Sequence, residues 1–110
     1  MDDILETIVK EKGVLSVNVV APDGIVIKSI SQKGIDGELI SALSSKIASE
    51  IADKIGIKKN VFLLIKGENG YIFILTKKNF ILSVLTDTNT NIGSLKVEME
   101  KGAKDIEGLL

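Results

Sequence analysis

The run Ile35–Gly56, IDGELISALSSKIASEIADKIG, constrains the chain more than any other stretch. It reads as one long helix in the middle of the sequence. At about 100° per residue, Ile40, Leu43, Ile47, Ile51 and Ile55 fall on one line, the core-facing stripe of an amphipathic helix. Beside it lies a second stripe of small residues: Ser41, Ser45, Ala48 and Ala52. Charge takes the remaining face through Glu38, Lys46, Glu50 and Asp53. A helix lying on one sheet needs only the first stripe. A strip of Ser and Ala allows a second helix to come close, because interaxial distance follows the side chains at the contact. The Ile stripe is therefore expected on the helix's own sheet and the small stripe on another subunit. The alternative is that Ser and Ala are ordinary residues of a helix surface.

The flanking segments supply that sheet. Asp2–Lys12 carries Ile4, Leu5, Ile8 and Val9 on one side and reads as a short helix stopped at Gly13. Val14–Ala21 is a Val-rich strand, with Leu15, Val17 and Val19 facing one way and Val14, Ser16, Asn18 and Val20 the other. Pro22-Asp23-Gly24 is a turn, and Ile25–Ile30 returns. Asp36 is the expected cap of the central helix. Val61–Ile65 is an apolar strand, Asn69-Gly70 suits the centre of a tight hairpin turn, and Tyr71–Thr76 and Phe80–Thr86 follow. A polar loop, Asp87–Asn91, leads into a last helix with Ile92, Leu95, Met99, Ala103, Ile106 and Leu110 on one face. The expectation is an α+β fold, α-β-β-α-β-β-β-α. Its five-stranded antiparallel sheet has the central helix on one face and the two terminal helices on the other, because strands apolar on both sides need covering on both.

Composition narrows the function. The chain has 110 residues, so one domain spanning 1–110 is expected. Its net charge of -1 gives no nucleic-acid or membrane-surface footprint. No apolar run approaches the roughly 18–20 residues of a membrane span, and the acidic start lacks the basic region of a signal peptide. With no cysteine, a cytoplasmic protein is the default. There is no histidine, and all 14 basic residues are lysine. Those absences exclude most zinc sites and nucleophile–base pairs, bidentate guanidinium forks and an arginine finger. Neither a cofactor nor an enzymatic activity is expected. At 45% hydrophobic residues, the surplus apolar surface points to a buried subunit interface.

These segments together resemble the roadblock family, the dynein light chain roadblock type. The resemblance rests on VLSVNVVAPDGIVIKS with its Asp23-Gly24 turn, ELISALSSKIASEIADKIG, VFLLIKGENGYIFIL, FILSVL and a last helix starting near NIG. It spans nearly the whole chain through patterns rather than catalytic signatures. It implies dimers, homomeric or heteromeric, whose long helices pair and whose third strands join edge to edge. On this chain it implies Ser41, Ser45, Ala48 and Ala52 at a helix–helix contact and Val61, Leu63 and Ile65 at a sheet edge. An uncharged edge such as VFLLI is an aggregation liability unless paired. The family's bacterial and archaeal members work with small Ras-like GTPases, which implies such a partner here.

Other candidates are weaker. Asp23 suits an acid that bonds its own turn better than a catalytic carboxylate. Asp87–Asn91 precedes a helix N-terminus, where anions bind, but it lacks the glycines and lysine of a phosphate loop. With Asn69-Gly70 at the hairpin centre, Val61 lies near Lys78 and Phe62 near Lys77. Lys58, Lys59, Lys77 and Lys78 then gather at one end of the sheet, as an acidic-partner patch or a solvated strand end. The readings are a dimeric GTPase-docking platform, a scaffold subunit of a larger assembly without a GTPase, and a small-molecule sensor. Only 4% of residues are aromatic, which leaves little to line a sensor pocket.

Overall fold

The Asp36 carboxylate accepts the Leu39 amide at 3.0 Å and starts the long helix. Gly56 closes it. In the computed structural model, which describes residues 1–57 and 60–110, the elements run in the expected order. They are α1 (Asp2–Val9), β1 (Val14–Val20), β2 (Val26–Ser31), α2 (Gly37–Ile55), β3 (Phe62–Lys66), β4 (Tyr71–Thr76), β5 (Ile81–Thr86) and α3 (Ile92–Glu107). The strands form one antiparallel sheet, ordered β2-β1-β5-β4-β3. α1 and α3 pack on each other and on one face, and α2 takes the other.

Register decides which side chains share a face. On the α1/α3 side, Ile30, Val17, Val84, Phe73 and Leu64 line up across all five strands. Leu5 and Ile8 of α1 and Leu95, Met99, Ala103 and Ile106 of α3 close over them as the main core. On the α2 side the matching row is Ser29, Asn18, Ser83, Ile74 and Leu63. That row is polar across β2, β1 and β5 and apolar across β4 and β3.

This split corrects part of the expected orientation of α2: Ile40 and Ile47 do face the sheet, but their stripe as a whole does not. The residues it buries are Ile40, Ser41, Ser44 and Ser45. Leu43 is 45% exposed and Ile55 65%. Ser41 and Ser45 of the small stripe lie against the helix's own sheet and Ala48 packs beside them, while Leu43 and Ile55 of the large aliphatic stripe face outward. The cause is the polar row beneath. Ser44 Oγ donates to the Ile40 carbonyl at 2.7 Å and shares a 2.6 Å bond with Ser83 Oγ. Ser29 Oγ donates to Asn18 Oδ1 at 2.6 Å, and Asn18 Nδ2 donates to Ser16 Oγ at 3.0 Å. Buried hydroxyls and amides need such partners, and only short side chains let the helix approach closely enough to seal them in. At Gly37 the approach leaves no room: a Cβ would lie 2.5 Å from Ser29 Oγ and 2.6 Å from Ser31 Oγ.

Two finer expectations are also corrected. β1 carries a bulge against β5 between Val14 and Ser16. The extra residue, Leu15, shifts the alternation, so Val14 joins Val17 and Val19 in the main core. In the β3–β4 hairpin the Gly67 amide bonds the Gly70 carbonyl at 2.8 Å. Glu68 and Asn69, not Asn69 and Gly70, are its central pair. Gly70 instead abuts the Thr86 carbonyl, where a side chain would clash. The register moves by two residues: Phe62 pairs with Leu75, and the Thr76 amide bonds the Val61 carbonyl.

Candidate interaction surface

Strand β3 is thinly covered. It pairs with β4 alone, and the helices bear mainly on the other four strands. On the α2 side the next row across the sheet is Ser31, Ser16, Leu85, Ile72 and Ile65. From β1 outward to β3 exposure rises: Ser16 is sealed, Leu85 and Ile72 are half-buried, and Ile65 is 42% exposed. α2 completes the surface. Leu39, Leu43 and Ile47 climb one flank of the helix in steps of about 40°. Ile47 packs on the cluster of Val20, Ile74 and Ile81, against which Leu63 and Ile72 also pack. Leu39 is 56% exposed. The opposite flank faces the β1–β2 turn, where Ser45 Oγ donates to the Pro22 carbonyl at 3.1 Å.

Large aliphatic side chains from two elements thus meet solvent beside a strand edge, the combination that marks an interaction site. Of the expected interface residues, Leu63 and Ile65 lie within this surface, and Val61 is half-buried just ahead of β3. Ser41 and Ser45 do not, being sealed under α2. Ala48 packs against Val20, Ile74 and Ile81. Ala52 lines a shallow depression of about 210 Å³ with Pro22, Ser45 and Lys78. The outward residues Leu39, Ile72 and Leu85 were not anticipated. Apolar spacing on a wheel finds stripes but does not say which stripe the sheet takes.

The lysine patch is rearranged by the register shift. Lys77 Nζ donates to Asn60 Oδ1 at 3.1 Å and lies 3.5 Å from Glu107 Oε1, so it is already engaged by an acid from α3. Lys78 is exposed. Lys58 and Lys59 lie outside the described residues. Asp23 accepts the Ile25 amide at 3.1 Å within its own turn. Asp87 accepts the Asn89 amide at 2.8 Å, and Asn91 caps α3 through the Ser94 amide at 2.9 Å. These polar groups serve local structure. Among the described residues, no helix is long and apolar enough to cross a membrane.

A family model for the Roadblock/LC7 domain matches residues 1–86, from the first residue through β5. The chain belongs to the Roadblock/LC7 domain family. Over its full fold this Roadblock/LC7 domain is similar to an uncharacterised protein of Methanocaldococcus jannaschii, 31% identical over 99% of this chain and 98% of that protein. Among solved structures it is similar to a Roadblock/LC7 domain from Streptomyces avermitilis, with a TM-score of 0.85 at 18% identity over 99% of this chain and 96% of that one. It is also similar to Myxococcus xanthus MglB, with a TM-score of 0.83 at 18% identity over 97% and 91% of the two chains. These structures share the fold, including an α3 that lies beyond the matched family segment.

Proposed function

We propose that this Roadblock/LC7 domain is a non-enzymatic, cytoplasmic docking module that forms a homodimer and binds or regulates a small Ras-like GTPase. One observation carries the reading: the apolar surface made by Leu39, Leu43 and Ile47 of α2 with Leu63, Ile65 and Ile72 beside the free β3 edge. A second copy turned about a twofold axis covers that surface with its own identical one. The two β3 strands then extend the sheet, and the outward flanks of the two α2 helices meet. The subunit contact falls on the aliphatic stripe, and the small stripe stays under each helix. The GTPase reading comes from family membership. With no arginine to insert, any effect on hydrolysis acts by positioning the GTPase's own loops.

The test begins with solution mass by light scattering. The chain should run near twice its 11.8 kDa mass, and Leu43→Glu should halve that mass with an unchanged far-ultraviolet spectrum. A wild-type monomer at high concentration would sink the dimer. The immobilised dimer is then offered Ras-like GTPases from the same organism, loaded with GTP or GDP. Nucleotide-dependent retention supports regulation. No retention of any GTPase, with capture of a non-GTPase protein from an extract of the same organism, supports the scaffold reading.

A further inference from the structure

On the opposite side of the sheet from the α2 surface, a groove of about 670 Å³ runs between α3 and the β3–β4 pair. α3 sits over β4 and stops short of β3, which leaves the α3-side residues of the outer strands as a floor. That floor is Phe62 and Leu75, directly paired across the two strands. The α3 wall supplies Lys96, Lys101 and Lys104. Two acids, Glu100 and Glu107, share the lining, against four lysines that include Lys77. Glu107 lies 3.5 Å from Lys77, and Glu100 lies 4.0 Å from Lys96. Lys104 has no ion-pair partner among the described residues. Lys101, three residues before it and so adjacent on the helix surface, reaches only Glu98 at 3.6 Å. Lys96 Nζ rests 5.0 Å from the centroid of the Phe62 ring.

We propose that this groove binds an acidic peptide segment of a partner protein, with one apolar anchor on the Phe62–Leu75 floor and carboxylates over Lys101 and Lys104. Charge complementarity carries the choice. Three lysines edge an apolar strip on a chain whose net charge is -1, so the local sign is opposite to the overall one, and that favours an acidic ligand. An open cleft between a helix and a strand pair suits a peptide more than a compact small molecule. An incoming anchor takes the place of Lys96 over Phe62, and that lysine swings to the rim, where a carboxylate can meet it. The groove lies on the other face of the sheet from the proposed dimer surface, so either proposal can fail without the other.

The test pans a display library of random twelve-residue peptides against the full chain. Enriched sequences should be rich in Asp and Glu with a recurrent aromatic or large aliphatic position. A synthetic peptide of the enriched consensus should lose at least tenfold in affinity for the double variant Lys96→Glu/Lys104→Glu, and more weakly for wild type as salt rises. Both substituted side chains are exposed, so the variant should fold and keep its oligomeric mass, checked by circular dichroism and light scattering. The proposal is overturned by no enrichment, by enrichment without acidic bias, or by peptide binding that survives the double variant. It is also overturned if the double variant changes the oligomeric mass, because the groove is then a contact between copies.

Discussion

Ser44 on α2 and Ser83 on β5 share a 2.6 Å hydrogen bond in a seam where both are almost completely buried. Ser44 also donates to the Ile40 carbonyl, so Ser83 is the donor in the shared bond. Ser44→Ala leaves the Ser83 hydroxyl buried without its acceptor. That should destabilise by about 1–3 kcal/mol, the cost of an orphaned buried group. The double change Ser44→Ala/Ser83→Ala should cost less than the sum of the singles, because nothing polar is left stranded. Urea denaturation of the four proteins measures the coupling. Strict additivity would mean that the two hydroxyls do not meet.

Gly37→Ala sets two effects against each other. Alanine is better than glycine by about 1 kcal/mol in a helix interior, and by less at Gly37, the first residue of α2. Its Cβ would meet Ser29 Oγ, Ser31 Oγ and Asn18 Oδ1 at 2.5–3.0 Å. Overpacking of a closed seam costs about 1–3 kcal/mol, so the variant should be less stable, with a lower urea midpoint. A raised midpoint would place α2 farther from the sheet.

Ala48→Glu and Leu43→Glu separate the two stripes. Ala48 packs on Val20, Ile74 and Ile81, so a carboxylate there is forced toward an apolar cluster and should lower thermal stability sharply. Leu43 is 45% exposed; its replacement should leave the fold intact and act on solution mass. Thermal melts with light scattering distinguish these outcomes. Loss of the dimer without loss of stability in Ala48→Glu would restore the small stripe as the subunit contact.

The Asp2 carboxylate lies 2.6 Å from Lys28 Nζ, tying α1 to β2. The hydrogen bond from Lys28, and then its charge, hold the Asp2 pKa below its usual value. A depressed carboxyl pKa contributes stability above the unfolded value of about 3.9, and that contribution disappears as pH falls through the lower folded value. Both groups are well exposed, so the effect is small and salt-sensitive. Lys28→Ala should return the Asp2 titration, followed by NMR, to the ordinary carboxylate range. An unmoved titration would show that the pair does not form in solution.

What the sequence revealed follows from how local each cause is. Asp36, Gly56 and Asn91 mark helix ends through bonds and backbone geometry within a few residues, and those boundaries were readable. The order of the elements and the two-sided covering followed from apolar patterning, whereas the placing of β5 beside β1 came only from the fold. The side of α2 that meets the sheet was not readable, because it depends on Ser29, Asn18 and Ser83 from three different strands lying under it. Nor was the hairpin register. Asn69-Gly70 is a good turn pair by itself, but the close approach of Thr86 claims Gly70 for the strand. Lys77 looked unpaired only because Glu107 comes from the far end of α3.

Strand β3 is fastened by a single neighbour and roofed by little on either face. Like β2 it is an edge, but with fewer helix contacts, so its amide hydrogen exchange should be fastest among the strands. Any companion that lies along its edge raises the cost of opening it by mass action. The order of this edge is thereby tied to how much of the protein is present, so the strand least covered by helices also acts as a gauge of its abundance.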